Sequence, residues 1–221
     1  HHLYLHSFPT RRSSDLSSRS PYELCAGLQD NSAWCGASST LADDSVTGND
    51  WYQVTGGDGE YAVFAPSNPD IVYVDSQDGA ISSFNVKTKR SIFIMPYLHG
   101  PGFVADDTLA NAKYRFNWTS PIAVSASDAN TVYLGGNVLF KSSDGGVNWT
   151  VLSGDLTRND KSKQQLSGGP INKDISGAES YDTILSITLA PTDEKVIWVG
   201  TDDGLVQVTR DGGKSWNDAT P

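Results

Sequence analysis

The chain has 221 residues, a formal net charge of −10, 21 glycines, 6 tryptophans and 9 tyrosines. A composition rich in glycine and aromatic residues is typical of a soluble all-β protein, and the acidic balance argues against binding to the phosphate backbone of nucleic acids. No apolar run approaches the roughly 20 residues of a membrane-spanning helix.

The first 16 residues differ in character from the rest of the chain. Residues 7–16 back-translate into a common sequencing-library adapter, so we predict that residues 1–16 are a non-native, disordered leader and not a natural basic one. They lack the continuous apolar core of a signal peptide. Three of the 4 histidines lie in this segment, which leaves only His99 beyond it. We therefore expect no histidine-built metal site and no cofactor.

Two cysteines follow the leader. Cys25 and Cys35 lie at equal distances from Asp30, the centre of a predicted hairpin. This spacing places them opposite each other, where either a cross-strand disulfide or two small buried thiols would fit. A disulfide would suit an exported protein.

An internal repeat then dominates the chain. Three similar segments each follow a short apolar strand, at residues 65–73, 125–133 and 190–198. Each is followed by a Gly/Asp turn and another strand, so the repeating unit has four antiparallel strands, as a propeller blade does. A weaker fourth copy begins near residue 21.

These repeats predict an all-β, incomplete β-propeller with about three four-stranded blades and part of a fourth. The expected propeller spans residues 17–221, with blade boundaries near residues 17–58, 59–118, 119–182 and 183–221. Three blades cannot close a ring, and open edge strands would be unpaired. We therefore expect a fragment whose neighbouring blades belong to a longer parent chain.

Two octapeptides, residues 142–149 and 209–216, share the pattern Ser/Thr-x-Asp-x-Gly-x-x-Trp in the last hairpin of a repeat. The aspartate can accept hydrogen bonds from its own turn, the glycine can adopt a positive φ, and the tryptophan can cover the turn. We predict a structural role for the eight shared positions, Ser142, Asp144, Gly146, Trp149, Thr209, Asp211, Gly213 and Trp216.

Two long connections between blades contain the candidate site residues. The first, residues 95–117, leads into an innermost strand, and it predicts ligand binding by His99, Arg115, Asn117 and the adjacent Trp118. Arginine among aromatic residues is a reasonable ligand-binding group, although an ion pair between Arg115 and a nearby aspartate would explain it equally well.

The second connection, residues 155–182, carries the carboxylates Asp174, Glu179 and Asp182. Glycoside hydrolysis uses two carboxylates roughly 5–9.5 Å apart across a cleft, and these three are the candidates for it. The alternative is a solvated acidic loop without catalysis.

From about residue 21 onward the chain resembles bacterial sortilin-like (BNR, or Asp-box) propeller proteins, often described as glycosyl hydrolases. The resemblance rests on the two octapeptides and on residues 25–31, 114–118, 153–157 and 200–206. In that family the Asp-box lies on the outer hairpin of a blade, away from the central channel, which implies that it is not catalytic here.

The resemblance implies an extracellular or periplasmic protein that binds a protein, peptide or carbohydrate ligand without catalysis of its own. The alternatives are a fragment of a xyloglucanase-like glycoside hydrolase and a purely structural scaffold. The arginine triad and nucleophilic tyrosine of Asp-box sialidases have no counterpart in motif context, and the two aspartates of xyloglucan-degrading enzymes cannot be mapped onto this sequence.

Overall fold

The chain folds into four four-stranded antiparallel sheets that form an incomplete β-propeller. The structure is a computed structural model that describes residues 14–41, 45–97, 111–166, 168–173 and 180–221. Within these ranges no helix has the length and apolar character that a membrane crossing requires.

Each sheet is one blade, and its strands follow chain order. Blade 1 contains β1 Ser14–Leu16, β2 Glu23–Gly27, β3 Ala33–Ala37 and β4 Trp51–Thr55. Blade 2 contains β5 Ala62–Ala65, β6 Asn68–Ser76, β7 Ala80–Asn85 and β8 Arg90–Phe93. Blade 3 contains β9 Ile122–Val124, β10 Val132–Gly135, β11 Leu139–Ser142 and β12 Thr150–Val151. Blade 4 contains β13 Ile184–Leu189, β14 Ile197–Thr201, β15 Val206–Thr209 and β16 Asn217–Asp218.

The first strands of the blades, β1, β5, β9 and β13, contact one another in that order. Because each blade runs up and down, its two ends carry different connections. We call one end the connection face, which holds the turns between second and third strands and the segments that join blades. The other end, the octapeptide face, holds the turns between first and second strands and the hairpins between third and fourth strands.

The hydrophobic core lies between the blades. Successive residues of a strand point to opposite faces, so Val72 and Val74 face blade 1 while Tyr73 faces blade 3. The blade 1–2 interface includes Cys25, Val54, Phe64, Val72 and Phe84. The blade 2–3 interface includes Tyr73, Ile81, Phe116, Leu134 and Phe140. The blade 3–4 interface includes Tyr133, Leu139, Ile184, Ile197 and Val199.

Blade 1 corrects the prediction for the end of the leader. Ser14–Leu16 pair with β2, and the Asp15 carboxylate accepts a hydrogen bond from the Phe64 N–H of blade 2 at 2.9 Å. The expectation of disorder up to residue 16 is therefore wrong for these three residues, because a strand joins a sheet through its backbone whatever its side chains. Residues 1–13 lie outside the described part of the chain.

The two cysteines form the cross-strand pair of β2 and β3. Cys25 lies opposite Cys35, with a Cα–Cα distance of 4.1 Å, and a disulfide joins them. Both side chains are fully buried in the blade 1–2 interface. Of the two alternatives that the spacing allows, the structure has the disulfide.

Both octapeptides form the hairpin between the third and fourth strands of a blade. In the first, the Ser142 hydroxyl donates to Asp144 at 2.8 Å and accepts from the Gly146 N–H at 2.8 Å. Asp144 also accepts from the Asn148 N–H at 2.8 Å. Hydrogen bonds from the backbone and the side chain of Asn148, followed by the one from the Ser142 hydroxyl, hold the pKa of Asp144 below its usual value. The aspartate thus bonds within its own hairpin.

The second octapeptide repeats this pattern. Thr209 donates to Asp211 at 2.8 Å and accepts from the Gly213 N–H at 2.9 Å, and Asp211 accepts from the Ser215 N–H at 2.9 Å. The side chain and backbone of Ser215, followed by the hydroxyl of Thr209, lower the pKa of Asp211. The agreement between the two hairpins follows from the shared residue pattern.

Each octapeptide also contacts the preceding blade. The indole N–H of Trp149 donates to the Ile94 carbonyl of blade 2 at 2.7 Å, and that of Trp216 donates to the Leu152 carbonyl of blade 3 at 3.4 Å. Ile94 and Leu152 both come directly after the last strand of their blade. The tryptophan therefore joins neighbouring blades as well as covering its own turn.

Candidate functional site

The predicted site residues that the structure describes, Arg115, Asn117, Trp118 and Asp182, all lie on the connection face. They belong to the segments that join blade 2 to blade 3 and blade 3 to blade 4. His99, Asp174 and Glu179 lie outside the described residues.

Arg115 forms a buried ion pair. Its side chain is 2% exposed, and its guanidinium donates to Asp155 at 2.8 Å and to the Thr157 hydroxyl at 3.2 Å. It also donates to the Asp182 carbonyl at 3.2 Å. Of the two predictions for Arg115, the structure has the ion pair, so the guanidinium is not presented to a ligand.

Asp155 is the acceptor at the centre of this contact. Burial alone would raise the pKa of Asp155, but hydrogen bonds from Thr157, Asn137 and Arg115 outweigh it and lower the pKa overall. The carboxylate therefore stays ionised and holds the connection after blade 3 against the Arg115 segment.

Asn117 and Trp118 join the segment before blade 3 to its neighbours. Asn117 donates to the Thr183 hydroxyl at 3.1 Å and to Asp202 of blade 4 at 3.3 Å. The indole of Trp118 donates to Asp58, before blade 2, at 3.2 Å. Both side chains are half-buried, so part of Trp118 remains accessible to solvent.

Asp182 is a fully buried carboxyl group beside Asp203 of blade 4. Its backbone has a φ of 59°, a left-handed conformation that is uncommon outside glycine, and Gln164 donates to its carboxyl group at 2.6 Å. Burial, and then the neighbouring carboxyl of Asp203, raise the pKa of Asp182 against the opposing effect of Gln164.

The pKa of Asp203 shifts in the opposite direction. Burial would raise it, but the Thr201 hydroxyl and the Arg158 N–H, the latter at 2.5 Å, donate to the carboxylate and lower the pKa overall. Because the pKa of Asp182 is raised and that of Asp203 is lowered, the pair holds one proton, on Asp182, at pH values between the two. Since Asp203 is only 9% exposed and Asp182 is not exposed, this pair does not reach a bound substrate.

A second buried acidic group lies at the start of blade 2. Asp58, Glu60, Asp75 and Asp78 are each at most 8% exposed. Thr119 donates to Glu60 at 2.7 Å, which links this group to the segment before blade 3. No set of three or more His, Cys, Asp or Glu side chains is arranged to hold a metal ion in the described part of the chain.

Asp78 and Asp203 both belong to the Gly/Asp turns of the internal repeat. Each lies two residues after the end of a second strand, at Ser76 and Thr201. This shared position in the repeat was the signal that could have identified them as a recurrent buried carboxylate.

Besides Trp118, the accessible aromatic groups near this face include tyrosines with lysines beside them. Tyr97 and Tyr114 form an edge-to-face pair with ring centroids 5.1 Å apart, and the Lys113 ammonium lies 5.1 Å from the Tyr114 centroid. The Lys163 ammonium lies 5.2 Å from the Tyr181 centroid. The three tyrosines are half-buried and both lysines are exposed. These groups, unlike Arg115, are open to a ligand.

Comparisons with known proteins show similarity in structure only. No family model matches the chain, and no curated protein matches it. A GH74 enzyme from Niastella koreensis has a TM-score of 0.52 and 15% identity over 88% of this chain. A GH74 xyloglucanase from Xanthomonas campestris has a TM-score of 0.49 and 15% identity over 86%, and an ancestral GH74 enzyme has 0.47 and 16% over 75%.

The chain spans 28%, 25% and 18% of the lengths of those three proteins, in that order. At these identities the similarity to the Niastella enzyme shows the fold alone. The chain therefore shares a fold with that enzyme.

Proposed function

We propose that this chain is part of an exported, sortilin-like Asp-box propeller that binds a protein, peptide or glycan and has no catalysis of its own. The observation that carries the proposal is a difference in solvent exposure between two sets of groups on the connection face. Arg115, Asp182 and Asp203 are buried and hydrogen-bonded, whereas Lys113 and Lys163 are exposed and lie beside half-buried tyrosines.

Burial argues against catalysis by Asp182 and its neighbour Asp203. A catalytic carboxylate must touch the reacting atoms, and glycoside hydrolysis needs two of them roughly 5–9.5 Å apart across a substrate. Asp182 is fully buried and contacts Asp203 directly, so no sugar ring fits between them. Their role is to hold the connection before blade 4 against the Asp202–Gly204 turn.

The open groups suit recognition. Tyrosine combines a flat apolar face with a hydroxyl, and it is enriched at binding surfaces. Lys113 and Lys163 add hydrogen-bond donors beside Tyr114 and Tyr181. Trp118 and His99 are proposed to extend this surface. The disulfide between Cys25 and Cys35 supports export, because such bonds persist in oxidising compartments.

Binding assays on the intact chain test the proposal. Soluble xyloglucan, mixed-linkage β-glucan and mannan are titrated in a calorimeter, and a displayed peptide library is selected on the same protein. At least one probe should bind, and the double variant K113A/K163A should weaken it about 10-fold or more. The matched control is K214A, an exposed lysine on the octapeptide face. If no probe binds, the scaffold alternative is favoured.

A fragment of a glycoside hydrolase is the second candidate, favoured by the propeller similarity to the Niastella GH74 enzyme. Its candidate carboxylates are Asp174, Glu179 and Asp182. Reducing-end release from the same polysaccharides measures this activity. Release that is lost in D174A or E179A would overturn the non-catalytic proposal.

A further inference from the structure

A groove of about 480 Å³ lies between blades 3 and 4 on the octapeptide face, opposite the surface proposed above. Its size is within the range of small-molecule sites, roughly 300–1,000 Å³. The groups that matter for binding are Tyr133, Lys141, Asp193, Glu194 and Lys195.

The internal repeat shows how this interface differs from its neighbour. At the blade 2–3 interface, the Tyr73 hydroxyl donates to the Ala129 carbonyl at 2.8 Å, which joins the two blades at the corresponding position. At the blade 3–4 interface, Tyr133 takes the place of Tyr73, and Glu194 takes the place of Ala129. The Glu194 carboxylate instead accepts hydrogen bonds from Ser125 of blade 3, the shorter at 2.7 Å.

Both hydrogen-bond donors and acceptors line the groove. The Lys141 ammonium lies 5.5 Å from the Tyr133 ring centroid. Within the described residues neither Lys141 nor Lys195 forms a salt bridge. Asp193 and Glu194 supply carboxylate oxygens, so the two positive charges are balanced by two negative ones.

The hydroxyl of Tyr133 adds a donor. Burial, and then the carboxylate of Glu194, raise the pKa of Tyr133, so the hydroxyl keeps its proton at neutral pH. The tyrosine is only 2% exposed, so only a small part of it meets the groove. Pro191 supplies an apolar part of the lining.

We propose that this groove binds one neutral sugar residue, a pentose or hexose unit of a glycan. Sugar hydroxyls both donate and accept hydrogen bonds, so they can bind to an ammonium group and a carboxylate that lie side by side. The balanced charge of the lining gives no preference for an anionic or cationic ligand. The groove is large enough for one such ring beside Pro191.

Ligand-observed NMR with xylose, glucose, galactose and mannose tests the proposal on the intact chain. At least one sugar should bind, and K141M and K195M should each weaken it about 10-fold or more, because each removes a charged donor. The matched control is K89M: Lys89 lies 3.1 Å from the Tyr52 ring centroid, in a lysine–tyrosine pair of blades 1 and 2. K89M should leave the sugar affinity unchanged.

Several outcomes would overturn the proposal. These are the absence of sugar binding, sugar binding no tighter than that of glycerol, unchanged affinity in both lysine variants that retain the wild-type circular dichroism spectrum, or a preference for glucuronate over glucose. The double variant K113A/K163A, on the connection face, should not affect this binding. The two proposals therefore fail independently.

Discussion

Alanine in place of Gly213 tests whether the octapeptide holds two blades together. Gly212 and Gly213 are adjacent, and both have positive φ values, 74° and 95°. A Cβ at Gly213 would lie 2.9 Å from both Leu152 Cδ1 and Leu152 Cδ2 of blade 3. A Cβ at Gly212 would meet nothing closer than Lys195 Cγ, at 3.9 Å. The two substitutions therefore share backbone strain and differ in the contact with blade 3.

The expected magnitudes follow from this difference. Left-handed backbone costs a non-glycine residue about 1–2 kcal/mol, which is the whole effect expected for G212A. Overpacking adds about 1–3 kcal/mol, so G213A should be destabilised by about 2–5 kcal/mol. For a chain of this length, each kcal/mol lowers the melting temperature by about 2–4 °C. The difference between the two variants in free energy of unfolding measures the contribution of the contact with Leu152.

Urea unfolding followed by circular dichroism measures both variants. In a double-mutant cycle, L152A makes room for the new methyl group, so G213A should cost about 1–3 kcal/mol less in the L152A background than in the wild type. The same cycle with G212A should be additive. Equal destabilisation by G212A and G213A, together with additivity in both cycles, would refute the inter-blade role.

Two further predictions concern other parts of the fold. The pKa of Asp182 is raised, so the folded state binds the carboxyl proton more tightly than the unfolded chain does, where an aspartate has a pKa of about 3.9. Protonation of Asp182 therefore stabilises the fold fully below that pH, and this stabilisation is lost as the pH rises through the folded pKa. The urea midpoint of D182N minus that of the wild type should therefore increase with pH from about pH 4 upward. A difference that does not change with pH would contradict this. Reduction of Cys25–Cys35, which are 10 residues apart, should lower the free energy of unfolding by about 3 kcal/mol, and reductant should not affect the C25S/C35S variant.

The repeat made the blades predictable because strand pairing and turn chemistry are local. Residues 65–73 and 125–133 carry the apolar alternation and turn residues that define adjacent strands. Blade 1 was harder to predict, because β1 Ser14–Leu16 has neither apolar alternation nor a repeat counterpart. It is a strand because β2 offers it a free edge.

The connection face was less predictable for a physical reason. Asp182 and Asp203 are 21 positions apart, and Arg115 lies 40 residues before its partner Asp155. Only the packing of the connecting segments against the strand turns brings these groups together. The sequence identified Arg115, Asn117 and Asp182 as polar residues of long connections, but their burial follows from tertiary contacts that no local pattern encodes.

The three inter-blade interfaces show that the octapeptide is one solution to a general requirement. In blades 3 and 4 a hairpin tryptophan donates to a carbonyl of the preceding blade. Blade 2 has the hairpin 85–90 without the aspartate or tryptophan, and its Lys89 instead lies 3.1 Å from the Tyr52 ring centroid in β4 of blade 1. Burial lowers the pKa of Lys89. A lysine on an aromatic ring thus joins blade 2 to blade 1 where the indole is missing. The recurrence of the tryptophan is therefore explained by the contact between blades, and that of the aspartate by hydrogen bonds within its own hairpin, with no need for chemistry on a substrate.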